Sequence, residues 1–308
     1  MFANERITAK GWNQDVRHFK YVLGDAAVIY PEEDANEVDD FLAKIGWKKV
    51  ADKPFRIKRS QPTYYQSSLC VSSSLDIWTS QQYHGEASSN SYYTSHLMSR
   101  RGRSWKMEEF VAEEGADDLY EYCHFVRRNI KEVLEDCHSV QLPTQYVFNV
   151  FPPLRPRELS IASSIKKHPW RIQLCVAIVR YKTKMKPPRK GVCTTCIANF
   201  ETGDKIYMSI RQGFIPRFPP SIPLIGVGHG TGLAPIHALV EERLTEQPST
   251  STTFYFGCPS ATKDQHYASQ MEDYARDPSK QFSYRVACLR DGLEGVKRTY
   301  VQGSTSRG

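Results

Sequence analysis

The stretch Pro223-Leu-Ile-Gly-Val-Gly-His-Gly-Thr-Gly-Leu-Ala-Pro235 decides the fold. Its opening, Pro223-Leu-Ile-Gly-Val227, is a short apolar run and predicts a buried strand. Ala234-Pro-Ile-His-Ala-Leu-Val-Glu-Glu-Arg-Leu244 predicts a helix. Downstream, Thr253-Phe-Tyr-Phe-Gly257 reads as a second buried strand, residues 264–275 as a helix, and Phe282 to Cys288 as a third strand. Strand, glycine turn, helix, strand, helix, strand predicts a parallel α/β sheet. Gly226, Gly228, Gly230 and Gly232 alternate, which does not fit GxGxxG, and the lysine of a P-loop is absent. The physics is similar nonetheless. A glycine turn lets a ligand approach the backbone, and the helix N-terminus offers free N–H groups to a phosphate. Thr231 adds a hydroxyl donor. The plainer alternative is a tight turn without ligand; the parallel context favours binding.

Upstream, Pro216 to Pro223 is a proline-rich connector and predicts a domain boundary. Ser160-Ile-Ala-Ser-Ser164 and Ile172 to Tyr181 read as strands, the second rich in β-branched residues. Arg6-Ile-Thr-Ala-Lys10 and Ala26-Ala-Val-Ile-Tyr30 flank the Gly24-Asp25 turn signal and read as strands too. Glu37 to Gly46 has helical spacing, with Val38, Phe41, Leu42 and Ile45 on one face and Gly46 as C-cap. Residues 108–128 and 129–136 also have helical patterning, and Thr195 to Phe200 predicts a short helix. Residues 67–104 differ: serine dominates, acidic groups nearly vanish, and no period persists. That composition predicts a loop or disordered insert.

Composition narrows the function. The 308 residues are 40% hydrophobic, enough for real cores. The net charge of +7 comes from 41 Lys+Arg against 34 Asp+Glu, with no aromatic-interleaved basic stripe, which disfavours a nucleic-acid binder. The densest basic run, Lys182 to Lys190, reads first as a solvated loop and second as a docking patch for something acidic. The 8 cysteines are scattered. Cys193-Thr-Thr-Cys196 has no second pair, so a tight turn is favoured over a metal site. No apolar run reaches the roughly 18 residues of a membrane span, and the first residues lack a signal peptide's apolar stretch. A soluble, cytoplasmic protein is expected.

The motifs carry a resemblance. Gly228-His-Gly-Thr-Gly-Leu-Ala-Pro235 followed by Phe254-Tyr-Phe-Gly-Cys-Pro-Ser260 resembles the NADPH domain of the ferredoxin–NADP reductase superfamily, with its GPGTGxAP and YFGCRS strings. Arg157-Glu-Leu-Ser160 resembles the RxYS flavin motif, and Gly191-Val-Cys-Thr194 the second FAD motif. Helices inserted between barrel segments resemble the diflavin branch, typified by cytochrome P450 reductase. Phe151 to Ser164, Ala177 to Lys184, Ile7 to Lys10 and Ser260 to Tyr267 narrow the resemblance to the NADPH-dependent diflavin oxidoreductases of cytosolic iron–sulfur protein assembly. It covers residues 3–66 and 106–302.

The resemblance implies an antiparallel FAD-binding β-barrel with a helical connecting insert, followed by a truncated parallel α/β NADPH-binding domain. The barrel would take residues 1–35 and 151–215, the insert 36–150 (with 67–105 aberrant or disordered), and the partial NADPH domain 221–303. It implies hydride transfer from NADPH to FAD, then electron flow through FMN to an anamorsin-type iron–sulfur protein. FMN belongs to a flavodoxin domain that the family carries before the position of Met1. Further strands follow the position of Gly308 in the family, so the chain is expected to be a fragment. No membrane or nucleic-acid partner and no metal is implied. By position, Arg157 should sit near the FAD phosphates and Ser160 near the flavin ring, with Glu158 and Leu159 in the same motif. Gly191, Val192, Cys193 and Thr194 should cradle the pyrophosphate. Thr231 and Gly232 should meet NADPH, and Cys258, the catalytic candidate, should lie near the nicotinamide. Arg290, Arg298 and Tyr300 should hold the adenosine 2′-phosphate, a task suited to the arginine fork, with Gln302 closing the motif.

The chain also departs from the family. Leu159 replaces the aromatic that stacks on the flavin, Pro259 an arginine, Leu289 a serine and Cys196 a tryptophan. Reading the codons of Ser73 to Asn90 one nucleotide earlier yields, with suitable synonymous choices, a string like the family's YLDI…VPRRSFFE. Compensating frame shifts, closed at Lys106, are the expected origin of the serine-rich block, against the alternative of a genuine serine-rich insert; a transcript unable to encode that string would rule the shifts out. Two other readings of the chain remain. One is a catalytically crippled or mis-assembled product of the family; the other is a basic metal- or nucleic-acid-binding module.

Overall fold

The structure, a computed structural model, describes residues 3–21, 26–54, 110, 113–136, 142–144, 147–151, 154–183, 188–213, 215, 219, 221–246, 250–290 and 300. Strands β1 (Ala3–Arg6), β2 (Asp15–Tyr21) and β3 (Ala26–Ile29) precede helix α1 (Ala35–Lys44). Short helices α2 (Ala116–Tyr120), α3 (Ile130–Asp136) and α4 (Val147–Val150) follow. Then come β4 (Arg157–Ser160), β5 (Ile172–Ile178), β6 (Arg180–Tyr181), β7 (Arg189–Lys190), helix α5 (Val192–Asn199) and β8 (Met208–Arg211). The last described part runs β9 (Leu224–His229), α6 (Leu233–Glu246), β10 (Thr252–Cys258), α7 (Ala268–Arg276) and β11 (Phe282–Cys288).

Contacts divide the chain into two compact units. The first comprises Met1–Ile29, Arg157–Val179 and Ile197–Gly308; the second comprises Tyr30–Pro156 and Arg180–Cys196.

In the first unit, β10 pairs in parallel with β9 on one side and β11 on the other, as the strand–helix alternation predicts. Two antiparallel sheets, ordered β1-β2-β5 and β4-β3-β8, stand with it. An isolated antiparallel bridge, Ile161 to Leu174, runs between them. One hydrophobic cluster joins both kinds of sheet. Val16, Ala162 and Cys175 from the antiparallel part pack with Leu233, Val240, Phe254, Phe256, Met271 and Phe282 from the parallel part. Burying a side chain such as Phe254 stabilises by about 1.5–3 kcal/mol.

The second unit has its own core. Asp34 caps α1: its Oδ1 accepts the N–H groups of Asn36 at 2.9 Å and Glu37 at 3.4 Å. That cap starts the helix two residues before the expected Glu37. Gly46, at φ +76, ends the segment as expected, because a glycine adopts the left-handed region without a Cβ clash. Val38, Phe41 and Leu42 pack with Trp47, Leu142, Val147, Val150 and Phe151. The Trp47 indole N–H donates to the Leu142 carbonyl at 2.9 Å, so its polar atom is satisfied inside the cluster.

Some expected elements shift. The expected strand at Arg6–Lys10 ends at Arg6, and residues 7–14 turn instead. Thr8 causes this: its hydroxyl donates to the Gln14 carbonyl at 2.9 Å and accepts the Val16 N–H at 3.2 Å. The expected helix over 108–128 is broken into a 3₁₀ turn at Glu113–Gly115, α2 and a π turn at Glu121–Phe125. Arg127 then takes a positive φ of 55°. No residue of α2 or the π turn is buried, so helical periodicity there lacks a core to reward it, whereas Ile130 and Leu134 of α3 pack against the Trp47 cluster and that helix forms as expected. The expected helix at 264–275 begins only at Ala268, after Tyr267 takes a left-handed φ of 53°.

Candidate functional site

The glycine turn after β9 divides its glycines by task. A Cβ on Gly226 would lie 2.6 Å from the Ile236 Cγ2, and one on Gly228 would lie 3.1 Å from the Leu233 Cα. These two glycines let α6 press onto the strand. An added Cβ on Gly230 or Gly232 would meet nothing within 4 Å, and Gly230 sits at φ +49. The open side of the turn is therefore Gly230-Thr231-Gly232. These three residues form a 3₁₀ turn that runs into α6, and the Leu233 N–H donates back to the Gly230 and Thr231 carbonyls, so the N–H groups that head the helix toward an anion are those of the turn itself. Thr231 and Gly232, both expected at NADPH, stand at this open turn.

Two of the other expected NADPH residues, Cys258 and Arg290, stand at the C-terminal ends of parallel strands. Cys258 ends β10 and is 1% exposed. Arg290 follows β11, is exposed, and its backbone N–H donates to the Pro259 carbonyl at 2.8 Å. Tyr300 is exposed. Arg298 and Gln302 lie outside the described residues, as does the serine-rich block at 67–105.

The two expected FAD motifs take different forms. Arg157, Glu158, Leu159 and Ser160 make up β4, antiparallel to β3. Strand alternation sets Arg157 and Leu159 on one face, both half-buried, and Glu158 and Ser160 on the other, both exposed. Glu158 pairs with Arg211 at 2.6 Å on the surface. Gly191 precedes α5, which starts at Val192 rather than at the expected Thr195. Gly191 explains the earlier start: its carbonyl accepts both the Thr195 N–H at 2.8 Å and the Thr194 hydroxyl at 3.2 Å. The first-turn N–H groups of Val192, Cys193 and Thr194 belong to the end that favours anions. Cys193 and Cys196 sit one turn apart on α5; burial pushes the Cys196 thiol up. Among the described residues, no group of three or more His, Cys, Asp or Glu side chains is placed to hold a metal.

Sequence reasoning missed a buried polar network in the first unit. His237 and Glu241 lie four residues apart on the apolar face of α6 and are 0% and 1% exposed. The His237 Nδ1–H donates to the Ala162 carbonyl, and its Nε2 lies 3.1 Å from the Gln270 Oε1. Glu241 accepts the Ser164 N–H at 3.1 Å, the Lys167 ammonium at 3.1 Å and the Gln270 amide at 2.9 Å. Tyr267, its ring tilted against His237 with centroids 4.4 Å apart, bonds the His18 Nδ1 at 2.7 Å. Burial holds the His237 imidazole below its ordinary range, against the pull of Glu241. Burial raises Glu241, but His237, Lys167 and the Ser164 N–H outweigh it and leave the carboxyl low. The network stitches the antiparallel part to α6 and α7. A further backbone bond, Ala9 N–H to the Lys263 carbonyl at 2.9 Å, joins two of the strings that carried the resemblance. The signal in the sequence was polar residues on an otherwise apolar helix face.

Residues 13–196 match the FAD binding domain family, which is more than half of the chain. The chain belongs to that family. Residues 227–304 match the oxidoreductase NAD-binding domain, and this match contains the glycine turn and the parallel strands. Relatives named NADPH-dependent diflavin oxidoreductase 1 are similar along nearly the whole chain. The protein of Candida glabrata is 35% identical, covering 97% of this chain and 51% of its own length. That of Saccharomyces cerevisiae is 34% identical with the same coverage. That of Arabidopsis thaliana is 30% identical, over 98% of this chain and 52% of its own. The chain spans about half the length of the curated relatives it matches. It thus carries FAD-binding and NAD-binding oxidoreductase domains, in a mixed α/β fold with antiparallel sheets and one parallel sheet. Among the described residues, no helix is long and apolar enough to cross a membrane.

Proposed function

We propose that the chain is the flavoprotein reductase part of an NADPH-dependent diflavin oxidoreductase, moving a hydride from NADPH to FAD. The observation that carries this is the open Gly230-Thr231-Gly232 turn at the head of α6, inside the matched NAD-binding domain. A side chain at Gly230 or Gly232 would fill the space a pyrophosphate needs, so these residues fit the group. NADPH and FAD, when bound, supply the hydride donor and acceptor. The chain's residues orient and anchor. The turn's N–H groups and Thr231 hold the NADPH phosphates. Arg290, Arg298 and Tyr300 grip the adenosine 2′-phosphate, with Gln302 beside them, and Cys258 borders the nicotinamide. Arg157 and the first turn of α5 anchor FAD phosphates, and Leu159 and Ser160 border the flavin.

The finer reading extends to architecture and partners. The antiparallel strands form the FAD barrel, from residues 1–35 and 151–215; the Ile161–Leu174 bridge linking its sheets supports this. Residues 36–150 are the helical insert, and 221–303 the NADPH-binding domain. Electrons leave through an FMN domain for an anamorsin-type iron–sulfur protein, in the cytoplasm. The names and lengths of the relatives support a role inside such a longer assembly.

The test is reconstitution. The purified chain, incubated with FAD and gel-filtered, should retain a flavin absorbance that NADPH bleaches without oxygen. Loss of all flavin on the column would sink the proposal. Leu159→Tyr, which restores an aromatic face, should tighten FAD binding by roughly two- to tenfold.

A further inference from the structure

Cys258 and Cys288 hold opposite positions in the parallel ladder of β10 and β11. They are thirty residues apart in sequence, and their sulfurs lie 3.7 Å apart. Neighbouring strands run about 4.8 Å apart, and a disulfide spans Cα atoms roughly 4.4–6.8 Å apart, so the backbone already has the needed spacing. The strand ends are pinned beyond the pair: the Leu289 N–H donates to the Cys258 carbonyl at 3.1 Å, and Arg290 N–H to the Pro259 carbonyl at 2.8 Å. The sulfurs must close from 3.7 Å to about 2.05 Å to form the bond. Access is unequal. Cys258 is 1% exposed, whereas Cys288 is partly open to solvent.

We propose that Cys258 and Cys288 are a redox-sensitive thiol pair, closed to a disulfide by hydroperoxides. The more accessible Cys288 thiol attacks the peroxide first. Its sulfur takes the hydroxyl oxygen to become a sulfenic acid, and the peroxide leaves as an alcohol or, from hydrogen peroxide, as water. The Cys258 sulfur then attacks the sulfenic sulfur. The S–O bond breaks, the Cys258 proton joins the departing hydroxide, and water leaves behind an S–S bond. Two electrons pass from the thiols to the peroxide. Burial, followed by the neighbouring Cys288, pushes the Cys258 thiol well above its ordinary range, so it serves as the resolving partner rather than the first nucleophile. If Cys258 also borders a nicotinamide, the same bond removes that thiol from the hydride-transfer site; the chemical test below does not depend on that reading.

The experiment treats the full chain with hydrogen peroxide, alkylates it after unfolding, and maps it by mass spectrometry. Alkylatable thiols should fall by two from the eight of the reduced chain, with one peptide pair joined through Cys258 and Cys288. Dithiothreitol should restore both. The reduced chain should also bind one equivalent of phenylarsine oxide, a probe for paired thiols, more than Cys288→Ser binds. Cys288→Ser should lose the cross-link. A wild-type chain in which Cys288 proceeds to sulfinic acid without a cross-link overturns the proposal. So does a cross-link that persists in Cys288→Ser, because it would then belong to another pair.

Discussion

The two units bury different things. The second unit hides hydrocarbon and aromatic rings around α1, and the Trp47 N–H inside that cluster is paired to a carbonyl. The first unit also has an apolar core, but beside it lies a fully buried Glu241 tied to Lys167, Gln270 and the Ser164 backbone. The contrast separates two ways of joining elements. Apolar packing tolerates exchange of similar shapes. A buried charge fixes one arrangement, because losing any partner strands the rest in a low dielectric.

Glu241→Ala against Phe151→Ala probes the contrast most strongly. Phe151→Ala should cost about 3–5 kcal/mol by opening a cavity, and Glu241→Ala about 2–5 kcal/mol by leaving the buried Ser164 N–H and the Gln270 amide without their acceptor. Hydrogen exchange resolved by peptide should show the loss in residues 233–246 for the first and in 35–51 for the second. Loss of protection in both regions from either change would erase the distinction between the units. Gly226→Val should come next, at roughly 1–3 kcal/mol, since its Cβ already meets Ile236 at 2.6 Å.

A smaller effect separates the units by pH. In the first unit, His237 and Glu241 both titrate below their ordinary values. The unfolded chain therefore takes up protons first, and their stabilisation, present above about pH 6.5 for the histidine, fades as pH falls. In the second unit the sign reverses. Burial, then Glu37 and Asp34, raise Glu33 to about 7 against the pull of Lys131. Its contribution is present below the ordinary carboxyl value and lost as pH rises through about 7. Exchange rates, corrected for intrinsic chemistry, should show residues 233–246 loosening and 30–45 tightening between pH 7.5 and 5. His237→Gln and Glu33→Gln should flatten the respective trends. The smallest expected change is Asp34→Ala, about 1 kcal/mol from the lost cap of α1, confined to the second unit.

Much of this was legible in the chain. The strand at Phe282 to Cys288 is found as read, and the alternation after Pro223 gave the parallel sheet, because period and glycine punctuation are local signals. The region around residues 108–128 was misread because its period is not backed by burial. Of the candidate site, the glycine turn and the Cys258 string were visible, while the buried His237 and Glu241 were not.

Sequence by itself determined the order of strands and helices, the glycine turn that opens α6, and the family. Those follow from spacing within a few residues. Tertiary structure decided which glycines pack and which stay open, which polar groups are buried, and that Cys258 faces Cys288. Each of these depends on register or packing between segments far apart in the chain, where no local pattern fixes which residue meets which.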